Sequence, residues 1–144
     1  RLFTFNAAEP FTHTGALGTY NVDDDTQLYG GYVMGWDSGF DDNGDAYLSG
    51  FKRVVSDDLS VIYTSALGRF GDRTAAGERG GVHSLILTAS LTEKLTYINQ
   101  TDVLFTRNVA GAAQRNTFSN IHYLIYQVND CVSLGQRFEW FNYG

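Results

Sequence analysis

The chain has 144 residues, a hydrophobic content of 43% and a formal net charge of −6, which together indicate one folded domain over residues 1–144. The acidic balance excludes nucleic acid as a partner, because phosphate binding needs clustered Lys and Arg and the only lysines are Lys52 and Lys94. The single cysteine, Cys131, excludes an intrachain disulfide and a cysteine-based metal site. No apolar run reaches the roughly 18 residues of a transmembrane helix, and no signal peptide is evident.

The chain is rich in strand-forming residues. Tyr, Phe, Val, Thr and Gly dominate between polar turns, helical apolar spacing is absent, and Pro10 is the only proline. Strands are predicted over 12–22, 27–37, 46–55, 60–70, 82–92, 95–106, 116–128 and 132–142. Each has about ten residues or slightly more, longer than the strands of soluble sheets and long enough for a tilted strand to cross a bilayer. The predicted fold is all-β: an antiparallel up-and-down meander of about eight long strands, as a transmembrane β-barrel or part of a larger one.

An internal repeat supports this prediction. The segments "VDDDTQLY", "VSDDLSVIY", "LTEKLTYI" and "VNDCVSLG" each contain an apolar residue, a few turn formers and a new strand, and their starts lie 33, 36 and 37 residues apart. Short turns at 23–25, 56–58, 93–94 and 129–131 therefore alternate with longer loops at 38–45, 71–81 and 108–115. Outer-membrane barrels have this asymmetry, with tight turns on one side and long loops on the other.

Aromatic residues are spaced as lipid-facing girdles would require. Tyr97 and Phe105 lie eight residues apart, and Phe118 and Tyr126 repeat this spacing on the neighbouring strand. At about 3.3 Å per residue and a tilt near 40°, eight residues rise roughly 20 Å, close to the height of a lipid-facing band. Trp36 and Trp140, toward the long-loop ends, are further girdle candidates. The alternative is that aromatic residues are simply common in strands.

The predicted strand 46–55 has no clean apolar face. Lys52 shares one parity with Leu48, and Arg53 shares the other with Phe51. A β-bulge, or a basic side chain that reaches to an interface, would each explain the pattern. The sequence leaves both explanations open.

Several stretches carry a family resemblance: "EPFTHTGALGTYNVDDDTQLYGGYVMGWDSGFD", "DDLSVIYTSALGRFG", "LTEKLTYINQTDVL" and "NDCVSLGQRFEWF". They resemble the beta-barrel porin family of planctomycete-type bacteria, the group called BBP2, over essentially the whole chain. Members of that family are longer, so the resemblance implies an internal or truncated portion of a barrel. It implies a porin without naming a solute.

The last predicted strand separates into two faces. Val132, Leu134, Phe138 and Trp140 fall on one side and are expected to face lipid, whereas Ser133, Arg137 and Glu139 are expected to face a wet lumen. An Arg facing lipid at mid-bilayer would cost about 2–4 kcal/mol, which the lumen-facing assignment avoids. The candidate pore-lining residues are Gln100, Asp102, Ser133, Arg137 and Glu139. The alternative is the solvated face of a soluble sheet.

Signals for catalysis and metal binding are weak. His13, His83 and His122 lie far apart in sequence, and neither a nucleophile elbow nor an H-E-x-x-H pair nor a phosphate loop is present, so no enzyme and no cofactor are expected. A barrel hydrolase would have to use His83 with Ser84, or Asp102. The loop with Asp37, Asp41, Asp42, Asn43 and Asp45 is rich in oxygen ligands for Ca²⁺ but lacks the order of an EF-hand, which favours a plain polar loop.

Three functions follow from these observations. The first is a porin-like channel in a bacterial outer membrane for passive diffusion of small hydrophilic solutes or ions, with membrane lipid and further copies of the chain as partners. The second is a structural barrel fragment that assembles through open strand edges. The third is a soluble ligand-binding β-barrel, which would need an apolar interior and a polar exterior.

Overall fold

The computed structural model describes residues 4, 8, 10, 12–36, 40, 44–70 and 77–144. It contains one antiparallel sheet of eight strands in chain order: β1 (Gly15–Asn21), β2 (Thr26–Val33), β3 (Ala46–Ser56), β4 (Leu59–Arg69), β5 (Arg79–Thr92), β6 (Leu95–Arg107), β7 (Ala113–Asn129) and β8 (Val132–Tyr143). Each strand pairs with its neighbours in sequence, and among the described residues β1 and β8 do not pair, so the sheet is open. The predicted all-β meander is confirmed. No helical segment in the described ranges has the length and apolar character needed to cross a membrane.

Each of the four short turns contains the same type of hydrogen bond. In each turn a polar side chain accepts the backbone N–H two residues later, at 2.9 Å for Asp23, 3.3 Å for Ser56, 3.3 Å for Thr92 and 3.0 Å for Asn129. Such side chains stabilise tight turns by replacing a backbone partner. These residues directly follow the first residues of the four repeats, which explains the spacing of the repeat in the sequence.

The register moves steadily across the sheet. One row of paired residues runs from Gln27 through Lys52, Ile62, Ile86, Gln100 and Ile121 to Glu139. Counted from the first residue of each strand, this row includes the second residue of β2, the fourth of β4, the sixth of β6 and the eighth of β8. The advance is therefore one residue per strand. If the short turns lie at one level, about 3.3 Å along for every 4.8 Å across gives a strand tilt of about 35°.

The two faces of the sheet differ in composition. The outer face carries nearly all of the exposed large apolar side chains, among them Tyr20, Tyr47, Phe51, Leu67, Leu85, Phe105, Phe118, Leu124, Tyr126, Leu134, Phe138 and Trp140. The inner face, to which the row from Gln27 to Glu139 belongs, mixes Ser, Thr, Gln, Asp and Glu with Ile and Leu. Buried polar side chains concentrate there on β6 and β7, at Asp102, Thr106, Thr117 and Ser119.

Several strand boundaries differ from the prediction. β1 and β2 have 7 and 8 residues, shorter than expected. β2 ends at Val33 because Gly35, with a φ of 114°, turns the chain away from the sheet. β7 is longer than expected, with 17 residues. These changes occur at the long-loop ends, whereas the short-turn ends match the predicted strands within a residue or two.

The structure also explains the mixed pattern of β3. Arg53 lies on the outer face near the short turns, where its guanidinium pairs with Asp23 at 3.2 Å. A register shift between Val54 and Ser56 places a bulge just beyond it. The strand thus contains a bulge, and Arg53 is accommodated by an ion pair at the short-turn rim; that this rim lies at a membrane interface stays a prediction.

A small apolar cluster covers the long-loop end of the inner face. Ala8, Trp36, Phe70 and Leu104 are buried there, at exposures of 1%, 6%, 4% and 0%, and Val82 and Phe141 pack against them. Trp36 and Phe70 have ring centroids 4.6 Å apart. The cluster joins residues that the turn beyond β2, the end of β4 and strand β6 bring to the same end of the sheet.

We predict that Leu104→Ala lowers the free energy of unfolding by about 2–5 kcal/mol, because it leaves a cavity in this cluster. Val109→Ala, in a long loop where the side chain is 73% exposed, is the control and should change it by less than about 0.5 kcal/mol. Equilibrium urea unfolding of the detergent-folded protein measures both changes. Equal effects of the two substitutions would contradict the assignment of the cluster as a core.

Candidate functional site

The structure places all five pore-lining candidates on the inner face, in separate groups. Gln100 and Asp102 lie on β6, and Arg137 and Glu139 lie on β8. Between the two pairs, β7 contributes Ile121 and Ser119. Ser133 lies apart near the short turn, where its hydroxyl donates to Gln127 Oε1 at 2.7 Å.

Asp102 lies at the centre of a buried polar network. The side-chain amide of Gln100 donates to its two carboxylate oxygens at 3.1 and 3.0 Å, and the Ser119 hydroxyl donates to Oδ2 at 3.1 Å. Asp102 and Ser119 are each 1% exposed. The sequence analysis missed Ser119, although its register opposite Asp102 is the pairing that neighbouring strands would require. Two neutral donors thus hold this carboxylate in place.

Glu139 joins the sheet to the region that precedes β1. Its Oε1 accepts the backbone N–H of Thr4 at 2.9 Å and the Thr4 hydroxyl at 2.7 Å, while Arg137 donates to Oε2 at 3.1 Å. The side chain of Glu139 is 6% exposed and that of Arg137 is 32% exposed. Arg137 is therefore the member of this pair that meets solvent. Sequence reasoning did not identify Thr4, which is 135 positions away.

A second ion pair lies at the long-loop end. Arg115 forms a two-pronged contact with Glu78, with Nε 2.9 Å from Oε1 and Nη2 3.0 Å from Oε2. Its guanidinium carbon lies 6.0 Å from the ring centroid of Trp36, within the range of a cation–π contact. Thr106 donates its hydroxyl to the same carboxylate and accepts the Arg115 backbone N–H at 3.1 Å. No local pattern predicts this pair, because its members are 37 positions apart.

The aromatic girdle candidates separate into two groups. Tyr97, Phe105, Phe118, Tyr126, Leu134, Phe138 and Trp140 lie on the outer face. The expectation that Trp36 lies among them is wrong. Gly35 turns the chain so that Trp36 is buried in the inner cluster, and the apolar packing there outweighs exposure on the outer side.

A cavity of about 670 Å³ lies along the inner face. Leu17, Leu48, Ile62 and Ile86 form apolar walls, and Gln100 and Asp102 lie at its polar end. Its walls come from the six strands β1 to β6, because the sheet curves around it. The volume falls in the range of small-molecule sites, roughly 300–1,000 Å³.

Asp23 lies at the short-turn rim. Its pKa lies below the usual value, first because the side chain of Thr26 hydrogen-bonds to it, and further because Arg53 is nearby. The Arg53–Asp23 pair is about half exposed, at 47% and 51% of the two side chains. Exposed pairs of this kind add little stability. This ion pair therefore contributes little to the stability of the fold.

The histidines and the acidic loop do not form a site in the described part of the chain. His83 and His122 lie on the outer face, each with its Nδ1 2.6 Å from a tyrosine hydroxyl, whereas His13 lies 3.1 Å from the Gly35 carbonyl oxygen. Ser84 and Asp102 face the opposite side from His83. Of the candidate Ca²⁺ ligands, Asp37, Asp41, Asp42 and Asn43 lie outside the described residues, and Asp45 accepts a hydrogen bond from the Tyr32 hydroxyl. No cluster of three or more potential metal ligands occurs among the described residues.

Comparison with known proteins agrees with this architecture. The family described as "Putative beta-barrel porin-2, OmpL-like" matches residues 1–143. No curated protein and no solved structure is similar enough to count as a match. The planctomycete-type origin implied by the resemblance remains a prediction. On the basis of the near-complete family match, the chain belongs to the beta-barrel porin-2, OmpL-like family.

Proposed function

We propose that the chain forms part of the wall of a bacterial outer-membrane channel for passive diffusion of small hydrophilic solutes or ions, with no enzymatic role. The main support for this proposal is the exposed apolar surface of the outer face. Leu134, Phe138 and Trp140 are 62%, 66% and 59% exposed, and similar side chains cover the neighbouring strands. Contiguous apolar surface of this extent marks contact with a membrane or a partner. A soluble ligand-binding barrel would need the opposite arrangement.

The strand geometry supports a membrane barrel. The register advance of one residue per strand corresponds to a tilt of about 35°, at the lower end of the roughly 35–45° of transmembrane barrels. This tilt takes the short turns to lie at one level, which is the arrangement that a membrane surface requires. In this orientation Gln100, Asp102, Ser133, Arg137 and Glu139 face the lumen.

The complete channel contains more than these eight strands. A closed barrel of about eight strands has an interior that its own side chains fill, which leaves no aqueous path. In the described part of the chain β1 and β8 do not pair, so their outer edges are available to further strands. Those strands come from elsewhere in the same protein or from another copy.

A second candidate function is edge-to-edge assembly of barrel fragments. The 12-residue strand β8 ends the sheet with one edge that has no partner in the described residues. Unpaired N–H and C=O groups along such an edge can template pairing with another chain.

The first prediction concerns the sidedness of β8. After Cys131→Ser removes the one free thiol, which is exposed, cysteines at Leu134 and Phe138 should resist a water-soluble thiol reagent in lipid nanodiscs. Cysteines at Ser133 and Arg137 should react, because they would face water. In detergent-free, urea-unfolded protein all four should react alike. The reverse pattern in lipid would exclude the proposed orientation.

The second prediction concerns ion conduction. The complete barrel should conduct in planar bilayers, and Arg137→Glu should shift the reversal potential under a salt gradient toward cation preference. A fixed charge acts over about 10 Å at 0.1 M salt and about 3 Å at 1 M, so the shift should shrink at high salt.

Arg107→Glu is the matched control for this measurement. It makes the same charge change at the exposed end of β6 and should leave the reversal potential nearly unchanged. A shift as large as that of Arg137→Glu would remove Arg137 from the pore lining. Well-folded protein without any conductance would refute the channel.

Edge assembly has its own measurement. If the fragments associate through β8, light scattering and dye binding of the detergent-folded 144-residue chain should rise steeply with protein concentration. A monodisperse particle whose mass is independent of concentration would exclude this candidate.

A further inference from the structure

The inner-face cavity combines an apolar wall with several polar side chains, and Asp102 is the one acidic residue among the described residues that line it. Leu48, Ile62 and Ile86 line the wall, and Gln100 and Asp102 lie at the end formed by β6. A volume of about 670 Å³ admits a small organic molecule rather than a bare hydrated ion alone. An occupant matched to this cavity has an apolar body and one polar head.

The charges around the cavity define that head. Two inner-face acids have arginine partners: Glu78 is 2.9 Å from Arg115, and Glu139 is 3.1 Å from Arg137. Asp102 differs, because its oxygens accept only from neutral donors and no cationic side chain pairs with it among the described residues. Buried carboxylates in proteins are ordinarily paired with a cation or a metal.

We infer that the cavity is a binding site for small organic ammonium compounds, whose alkyl or aromatic body lies against Leu48, Ile62 and Ile86 and whose ammonium group donates to Asp102. The ammonium replaces the Gln100 amide as the donor to Asp102. This exchanges a hydrogen bond from a neutral donor for one from a cationic donor, which adds a direct charge–charge attraction to the carboxylate. The inference rests on the proposed function and deepens it, since it names the class of solute that the channel retains.

Three four-carbon probes of similar size test the site. n-Butylammonium, n-butanol and butyrate differ mainly in the charge of the head group, and calorimetric titration into detergent-folded protein, corrected for titration into micelles alone, gives their affinities. We expect butylammonium to bind at least about tenfold more tightly than butanol, and butyrate to bind most weakly. Equal affinities for butylammonium and butanol would overturn the inference.

Two variants identify the groups responsible. Asp102→Asn should abolish the preference for butylammonium over butanol, whereas Asp130→Asn, the same charge change in an exposed turn, should keep it. Leu48→Trp should weaken the binding of butylammonium and butanol together, because it fills the cavity. If the heat-shift test shows that Asp102→Asn does not form a folded barrel, the binding affinities of the wild type and of Leu48→Trp still test the site. An unchanged preference in folded Asp102→Asn, or unchanged binding in Leu48→Trp, would refute the site.

Conductance recorded in parallel separates this inference from the proposed function. Protein that conducts but shows no ammonium preference overturns the binding site and leaves the channel. Protein that binds butylammonium through Asp102 but does not conduct supports the binding site and overturns the channel.

Discussion

The rest of the structure depends on the register, which advances by one residue per strand. Side-chain direction alternates along a strand, so a slip of one position would move every side chain of that strand to the opposite face. The hydrogen bonds of Asp23, Ser56, Thr92 and Asn129 hold the short turns in one form, and bulges precede the last three. Four local contacts of modest strength thus determine which residues face inward on all eight strands.

That register produces an outer face that is unfavourable in water and a sheet that is incomplete by itself. Exposed Tyr, Phe, Leu and Trp side chains favour an apolar surrounding, and hydrocarbon also requires every backbone N–H and C=O to have a partner. The outer edges of β1 and β8 do not meet that second requirement within the described residues. On the proposed function, an apolar surrounding and a partner for each edge are therefore needed together, since lipid alone would leave two edges unpaired and paired edges alone would leave the outer face in water.

The sequence could predict what local physics determines. Turn residues and alternating parity predicted the meander, the short turns and the two faces of β8, because each signal lies within a few positions. The prediction that Trp36 lies on the outer face was wrong, because the backbone conformation at Gly35 redirects the chain. A sequence pattern does not reveal that φ angle. Contacts such as Thr4 with Glu139 or Glu78 with Arg115 join residues 135 and 37 positions apart, so only the folded sheet brings them together.

The inner face is not uniform along its length. At the long-loop end of the described residues, Trp36, Phe70 and Leu104 pack together and Arg115 is paired with Glu78. Asp102, beside the cavity, and the inner-facing Lys52 lie farther from that end. Neither of these two residues has an ion-pair partner in the described part of the chain. Charges without a partner dominate the local potential, because paired charges cancel beyond a few ångströms. On the proposed channel function, the unpaired charges near the middle of the strands contribute more to the field that a solute meets than the paired charges of Arg115 and Glu78 do.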